Sequence, residues 1–93
     1  MIVRTRPYAD LLEEAEEALV LCEGQLLRIS ALAAAIIRFA EGGIALSNLS
    51  ASLEERFGLP PVGSALEATT AAVIHLVSQG VLVADDDASR GVR

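Results

Sequence analysis

The chain is poor in the residues that carry catalysis and bind metals. Its 93 residues include one histidine, His75, and one cysteine, Cys22. A lone thiol can form neither an intramolecular disulfide nor a cysteine metal cluster, and a lone histidine without an organised set of carboxylates makes a poor metal site. We therefore expect a protein that is not an enzyme, with no catalytic residue, no metal and no cofactor. We expect Cys22 to be buried and His75 to lie at the surface.

Aromatic and basic residues are also scarce. Aromatic residues make up 3% of the chain and apolar residues 53%, so the core must be built from Leu, Val, Ile and Ala. All seven basic residues are arginines, against 13 acidic residues, and the formal net charge is −6. Because nucleic-acid binding depends on neutralising phosphates with Lys and Arg, we expect no nucleic-acid partner.

Long apolar runs are missing as well. No run is long enough to span a membrane, and none of signal-peptide type follows the basic residues near the N-terminus. We therefore predict a cytoplasmic protein with no membrane partner. No repeat or linker divides the chain, which predicts a single domain over residues 1–93, ordered from about 8 to 84 and flexible over 85–93.

The segment 8–22 has two interpretations. Apolar residues recur at helical spacing and the glutamates are good helix formers, which predicts a helix from Asp10 to about Ala18. The alternative is a strand at 9–13, an acidic turn at 14–17 and a strand at 18–22. The pattern of that second strand is typical of one arm of a hairpin, because Glu23-Gly24 and another apolar strand follow it.

Three helices are predicted by apolar spacing and by their caps. Ser30 is a suitable N-cap for the first, and Ser64 with Glu67 forms a capping box at the start of the third. Glycines follow the end of each helix. The predicted helices span about 31–41, 46–57 and 64–79, and a short strand follows at 81–83. Together these elements predict an α+β fold of winged-helix type, with a three-stranded antiparallel hairpin sheet, three helices and a short terminal strand.

Two segments show patterns that suggest binding. In the strand after Glu23-Gly24, Leu27 and Ile29 point to one side and Leu26 and Arg28 to the other. The third helix has an apolar arc wider than one buried face needs. Either the whole arc is core, or one line of it floors a groove that an apolar partner fills.

The order and spacing of several short motifs resemble those of a known family, the PqqD-like proteins, also called RiPP recognition elements. The resemblance covers roughly residues 8–83. The motifs are, in chain order, Glu23-Gly24, Leu27-Arg28-Ile29-Ser30, Ala33 with Ile36-Ile37, Glu41-Gly42, Leu53-Glu54-Glu55-Arg56-Phe57, and Gly80-Val81-Leu82.

The resemblance implies recognition of the leader segment of a ribosomally made precursor peptide. In such proteins the leader adds as a strand to the hairpin edge, in a groove beside the third helix, and the bound precursor is delivered to a modifying enzyme or a leader peptidase. Arg28 could pair with an acidic leader residue, or it could simply keep the edge soluble. The implied strand residues are Gln25, Leu26, Leu27, Arg28 and Ile29, and the implied groove floor is Leu66, Thr70, Val73, Ile74 and Val77.

Two other functions fit the same order of elements. The second and third helices could mimic the helix-turn-helix of a DNA-binding regulator, although a recognition helix at 64–79 would contain no Lys or Arg. The chain could also be a structural subunit whose apolar third helix forms a dimer interface. Both a monomer and a homodimer are compatible with the sequence.

Overall fold

Six strands and three helices make up the described part of the chain, which is residues 1–14, 17–61 and 63–85 of a computed structural model. The α+β fold class, with antiparallel N-terminal strands, three helices and a short last strand, is confirmed. The elements are β1 Ile2–Thr5, β2 Asp10–Glu13, β3 Glu17–Cys22, β4 Gln25–Ser30, α1 Ala31–Phe39, β5 Ile44–Ala45, α2 Leu46–Phe57, α3 Ala65–Ser78 and β6 Leu82–Asp85.

The strands form two antiparallel sheets. The hairpin sheet has the strand order β2-β3-β4, so its neighbouring strands are also consecutive in the sequence. The terminal sheet has the order β5-β1-β6, so β1 pairs with strands from the middle and the end of the chain. Ile2 lies opposite Asp85 and Thr5 opposite Leu82. Ordered structure therefore begins well before residue 8. Of the predicted tail 85–93, Asp85 closes β6 and the rest lies outside the described residues.

The predicted helix from Asp10 to Ala18 is wrong, and the two-strand alternative is right. Strands β2 and β3 occupy this segment, with Leu11 opposite Val20 and Glu13 opposite Ala18. Leu11, Ala18 and Val20 are buried, which is a period of two along β3 and not a helical period. Pairing and burial outweigh the helix propensity of the glutamates, because local propensity is a weak preference.

A tight turn at Glu23 and Gly24 fixes the register of β3 against β4. Both residues have positive φ, 51° and 79°, as a two-residue turn of type I′ requires. Cys22 then lies opposite Gln25, and the pairing continues to Glu17 opposite Ser30. The predicted hairpin and its turn are confirmed.

Helix α1 is buried along most of its length. Ser30 caps it as predicted, because its Oγ accepts a hydrogen bond from the Ala33 N–H at 3.1 Å. The helix packs against α2, α3 and strands β1 to β4. At its C-terminal end the Thr5 hydroxyl donates to the Ile37 carbonyl oxygen at 2.7 Å, which joins the helix to β1. The five buried residues of α1 are Ala33, Ala34, Ala35, Ile36 and Ile37.

Helices α2 and α3 begin and end close to the predicted residues. Gly58 follows α2 with a φ of 82°. The capping box of α3 is present, with the Glu67 N–H donating to the Ser64 Oγ at 3.1 Å and the Ser64 N–H donating to the Glu67 carboxylate at 2.9 Å. Within the described ranges, no helix is both long enough and apolar enough to cross a membrane.

Cys22 and His75 lie where the sequence places them. Cys22 is buried at the end of β3, and its thiol donates to the Pro7 carbonyl oxygen at 3.4 Å. Burial raises the pKa of the Cys22 thiol, which keeps it protonated and unreactive near neutral pH. His75 is exposed on α3.

Truncation of a buried α1 side chain tests whether this helix holds the fold together. Ile36 is fully buried, whereas Ile74 on α3 is 63% exposed. We expect Ile36→Ala to lower the free energy of unfolding by about 2–5 kcal/mol, because it leaves a cavity in the core. The matched variant Ile74→Ala should change it by about 0.5 kcal/mol or less. Urea denaturation followed by circular dichroism measures both, and equal losses would contradict the central position of α1.

Candidate functional site

Strand β4 is an edge strand of the hairpin sheet. It pairs with β3 on one side, and no strand of the described chain pairs with it on the other. An edge of this kind presents unpaired backbone N–H and C=O groups to any strand that approaches. Within the described residues, the outer edge of β4 is therefore unpaired, and it is at this edge that the resemblance places an added peptide strand.

The turn before β4 decides which of its backbone groups point outward. A two-residue turn closes on a pair of residues that exchange two backbone hydrogen bonds, here Cys22 and Gln25. Bonded and non-bonded pairs then alternate along the ladder, so Leu27 directs its N–H and C=O to β3. Leu26 and Arg28 direct theirs to the open side, where each offers one donor and one acceptor.

The neighbouring ladder has the same alternation. The Glu14 N–H donates to the Glu17 carbonyl oxygen at 2.8 Å, so the backbone N–H and C=O of Glu17 point toward β2. The backbone N–H and C=O of the next residue, Ala18, therefore point toward β4, where Ala18 lies opposite Ile29. Ile29 thus bonds to β3, as Leu27 does, and leaves Leu26 and Arg28 to the open edge.

The side chains of β4 alternate as the sequence predicts. Ile29 is buried and Leu27 is half-buried against the core, whereas Gln25 and Arg28 are exposed and Leu26 is 65% exposed. The Arg28 Nε lies 3.9 Å from a carboxylate oxygen of Glu17, and both side chains are largely exposed. A pair of this kind contributes little stability and leaves the guanidinium available to another anion.

The predicted groove floor on α3 is only partly gathered into one place. Thr70, Val73, Ile74 and Val77 line an apolar cavity of about 160 Å³ together with Met1, Leu46 and Ala84. Leu66, 49% exposed, is not among the lining residues. Because Ala84 belongs to β6, this cavity adjoins the terminal sheet, whereas β4 belongs to the hairpin sheet. That the strand and this floor form one groove stays a prediction.

A second apolar cavity, which the sequence did not suggest, opens where the three helices meet. It has a volume of about 290 Å³, and Leu32 lines it just two residues beyond the end of β4. Its other walls come from the end of α2, the loop after it and the start of α3. The signal in the sequence was the segment Phe57-Gly58-Leu59-Pro60-Pro61, in which two large apolar residues flank a helix end and stay exposed.

The groups at these surfaces are backbone amides and carbonyls, exposed apolar side chains and few charges. Among the residues that the structure describes, no group of three or more His, Cys, Asp or Glu side chains is placed to hold a metal ion. What β4 offers is a row of backbone groups, one guanidinium and nearby apolar surface. In comparisons with family models, curated proteins and solved structures, nothing matches the chain.

Hydrogen exchange of the β4 amides tests the assignment of its open edge. We expect the amides of Leu27 and Ile29 to exchange at least about a hundredfold more slowly than those of Leu26 and Arg28, because only the first pair bonds to β3. NMR-detected exchange at neutral pH resolves the four amides individually. Equal protection of all four would show that the outer edge is covered.

Proposed function

We propose that the protein binds the leader segment of a ribosomally made precursor peptide by β-strand addition to β4. It then presents the precursor to a separate modifying enzyme or leader peptidase in the cytoplasm. The observation that carries the proposal is the open edge of β4, where Leu26 and Arg28 turn their backbone groups away from β3. The order of hairpin, three helices and terminal strand is also the order that the resemblance implies.

The edge suits an incoming strand because little obstructs it. Protected edges usually carry proline, a bulge or several charges. Strand β4 contains no proline, pairs with β3 in unbroken register from Gln25 to Ser30, and carries the single charge of Arg28. Main-chain hydrogen bonds to such an edge supply affinity that depends little on the sequence of the peptide.

Selectivity comes from the alternate side chains of the added strand. One set would lie on the exposed side of the sheet, next to Leu26 and Arg28, where an acidic leader residue could pair with the guanidinium. The other set would lie on the side of Leu27, which is partly buried against the apolar core. A leader with alternating apolar residues and at least one acidic residue fits these surroundings.

Charge supports a peptide over DNA. Helix α3, the helix that a winged-helix regulator would place in the major groove, contains neither Lys nor Arg. The chain as a whole has a net charge of −6, so phosphate contacts would be few and the approach of DNA would be opposed.

A structural dimer is a second candidate, because α3 exposes an uncharged apolar stripe. Ile74 is 63% exposed and Leu66 is 49% exposed. Their neighbours along the same face of α3, Thr70 and Val77, carry no charge. Sedimentation velocity over a range of protein concentrations, with Ile74→Thr as the variant, distinguishes self-association through this stripe from an open surface.

Titration with the leader peptide encoded beside the gene tests the proposed function. We expect saturable binding by isothermal titration calorimetry. We expect Arg28→Pro to weaken it at least about tenfold, since proline removes an outward N–H and leaves the bonds to β3 intact. A DNA duplex at low salt should give no mobility shift.

Two controls separate loss of the edge from other effects. Arg28→Ala removes the charge and keeps the N–H, so any difference between the two variants belongs to the backbone. Circular dichroism checks that Arg28→Pro is folded, and N-methylated leader peptides test the same hydrogen bonds from the other partner. Absence of saturable binding, or equal binding by Arg28→Pro and Arg28→Ala, would overturn strand addition at this edge.

A further inference from the structure

The outer face of the hairpin sheet is unusually apolar. An antiparallel sheet that packs one face on the core normally carries polar residues on the other. Here the face away from the core carries Leu12, Leu19, Leu21 and Leu26, which we call the leucine face. Leu12 is 58% exposed and Leu26 is 65% exposed, whereas Leu19 and Leu21 on the central strand are half-buried.

The register makes these four side chains one continuous patch. Leu12 lies opposite Leu19 across β2 and β3, and Leu21 lies opposite Leu26 across β3 and β4. Directly opposed residues share a face, and residues two apart on a strand do so as well. Leu19 and Leu21 therefore connect the two pairs. Exposed apolar patches with a polar border mark binding surfaces.

The border of the leucine face is acidic. Asp10 lies in the same row as Leu21 and Leu26, and Glu17 lies two residues before Leu19 on β3. Glu14, which follows β2, lines the adjoining cavity of about 290 Å³ together with Leu12, Leu19 and Arg28. The border of the patch thus contains three exposed carboxylates and one guanidinium.

Charge and shape together identify the kind of partner. A second copy of the chain would bring its own acidic border against this one, which like-charge repulsion opposes. A basic partner gains attraction from the same groups. The leucine face crosses three strands, which is about 10 Å at the usual strand spacing and close to the diameter of an α-helix. An unpaired sheet face is also a layer that a helix normally covers.

We propose that the leucine face docks a cationic amphipathic helix of a partner protein, with its apolar side on Leu12, Leu19, Leu21 and Leu26 and its basic side chains over Asp10, Glu14 and Glu17. This surface shares Leu26 with the proposed peptide edge but extends beyond it, since it uses side chains of all three strands. Leu12 on β2 is two strands away from the open edge of β4, so the two surfaces can be tested separately.

A pair of synthetic peptides provides the probe. Each is about 18 residues long, roughly 27 Å as a helix, with leucines on one side. One carries lysines on the other side and the second carries glutamates in the same positions. We expect saturable binding of the Leu/Lys peptide and none of the Leu/Glu peptide, measured by isothermal titration calorimetry. Amide chemical-shift changes should centre on the strands of the leucine face.

Matched variants decide whether the leucines themselves bind the helix. The double variant Leu12→Thr/Leu19→Thr keeps residues that suit strands and should weaken Leu/Lys binding at least about tenfold. Leu66→Thr/Ile74→Thr removes two exposed apolar side chains from α3 and should leave binding unchanged. Titration of the Leu12→Thr/Leu19→Thr protein with the leader peptide should be unaffected, which separates this surface from the β4 edge.

Three results would overturn the proposal. Equal affinity of both double variants for the Leu/Lys peptide would mean that its lysines bind the acidic protein without the leucine face. Equal binding of the Leu/Lys and Leu/Glu peptides would remove the role of the acidic border. A dimer of the unmodified protein that Leu12→Thr/Leu19→Thr dissociates would assign the face to a second copy.

Discussion

The burial of the middle of helix α1, from Ala33 to Ile37, is the constraint on which the rest of the structure depends. Its run of alanines and isoleucines lets α2, α3 and four strands approach from different sides. Small side chains at Ala34 and Ala35 permit this close approach, while Ile36 and Ile37 are fully buried and fill space in the core. Because a helix segment that is apolar on most sides must be covered on most sides, the middle of α1 depends on packing against both sheets and both other helices.

The same constraint explains which surfaces remain for binding. The hairpin sheet gives the side chains of one face to α1, with Val20 at the centre of that face. As far as the described residues show, its other face and its two outer edges are what is left for contact with other molecules. The arginine of α1, Arg38, donates to the Glu13 carboxylate of β2 at 2.7 Å, and this ion pair joins the helix to the β2 side of the sheet. Among the described residues, no ion pair of this kind joins α1 to β4.

Features set by neighbouring residues were predictable, and features set by distant pairing were not. Ser30 as a cap, the capping box at Ser64, and the stop after α2 each depend on a few adjacent residues, and their helices were predicted closely. The segment that contains Leu11 was ambiguous because its strand forms only against Val20. For the site, the alternation of β4 was visible in the sequence. The leucine face was not, because it needs the register of three strands.

Leu26 belongs both to the open strand and to the leucine face, and this shared membership has a thermodynamic consequence. A strand that pairs with β4 widens the hairpin sheet from three strands to four, and every second side chain of that strand extends the leucine face. A helix docked there then contacts both the protein and the peptide. If the side chains of the added strand contact the docked helix favourably, linkage makes the effect mutual: a peptide on the edge would raise the affinity of the leucine face for the helix, and the helix would raise the affinity of the edge for the peptide by the same factor. Under both proposals together, a sheet of only three strands would favour assembly of a ternary complex over either pair alone.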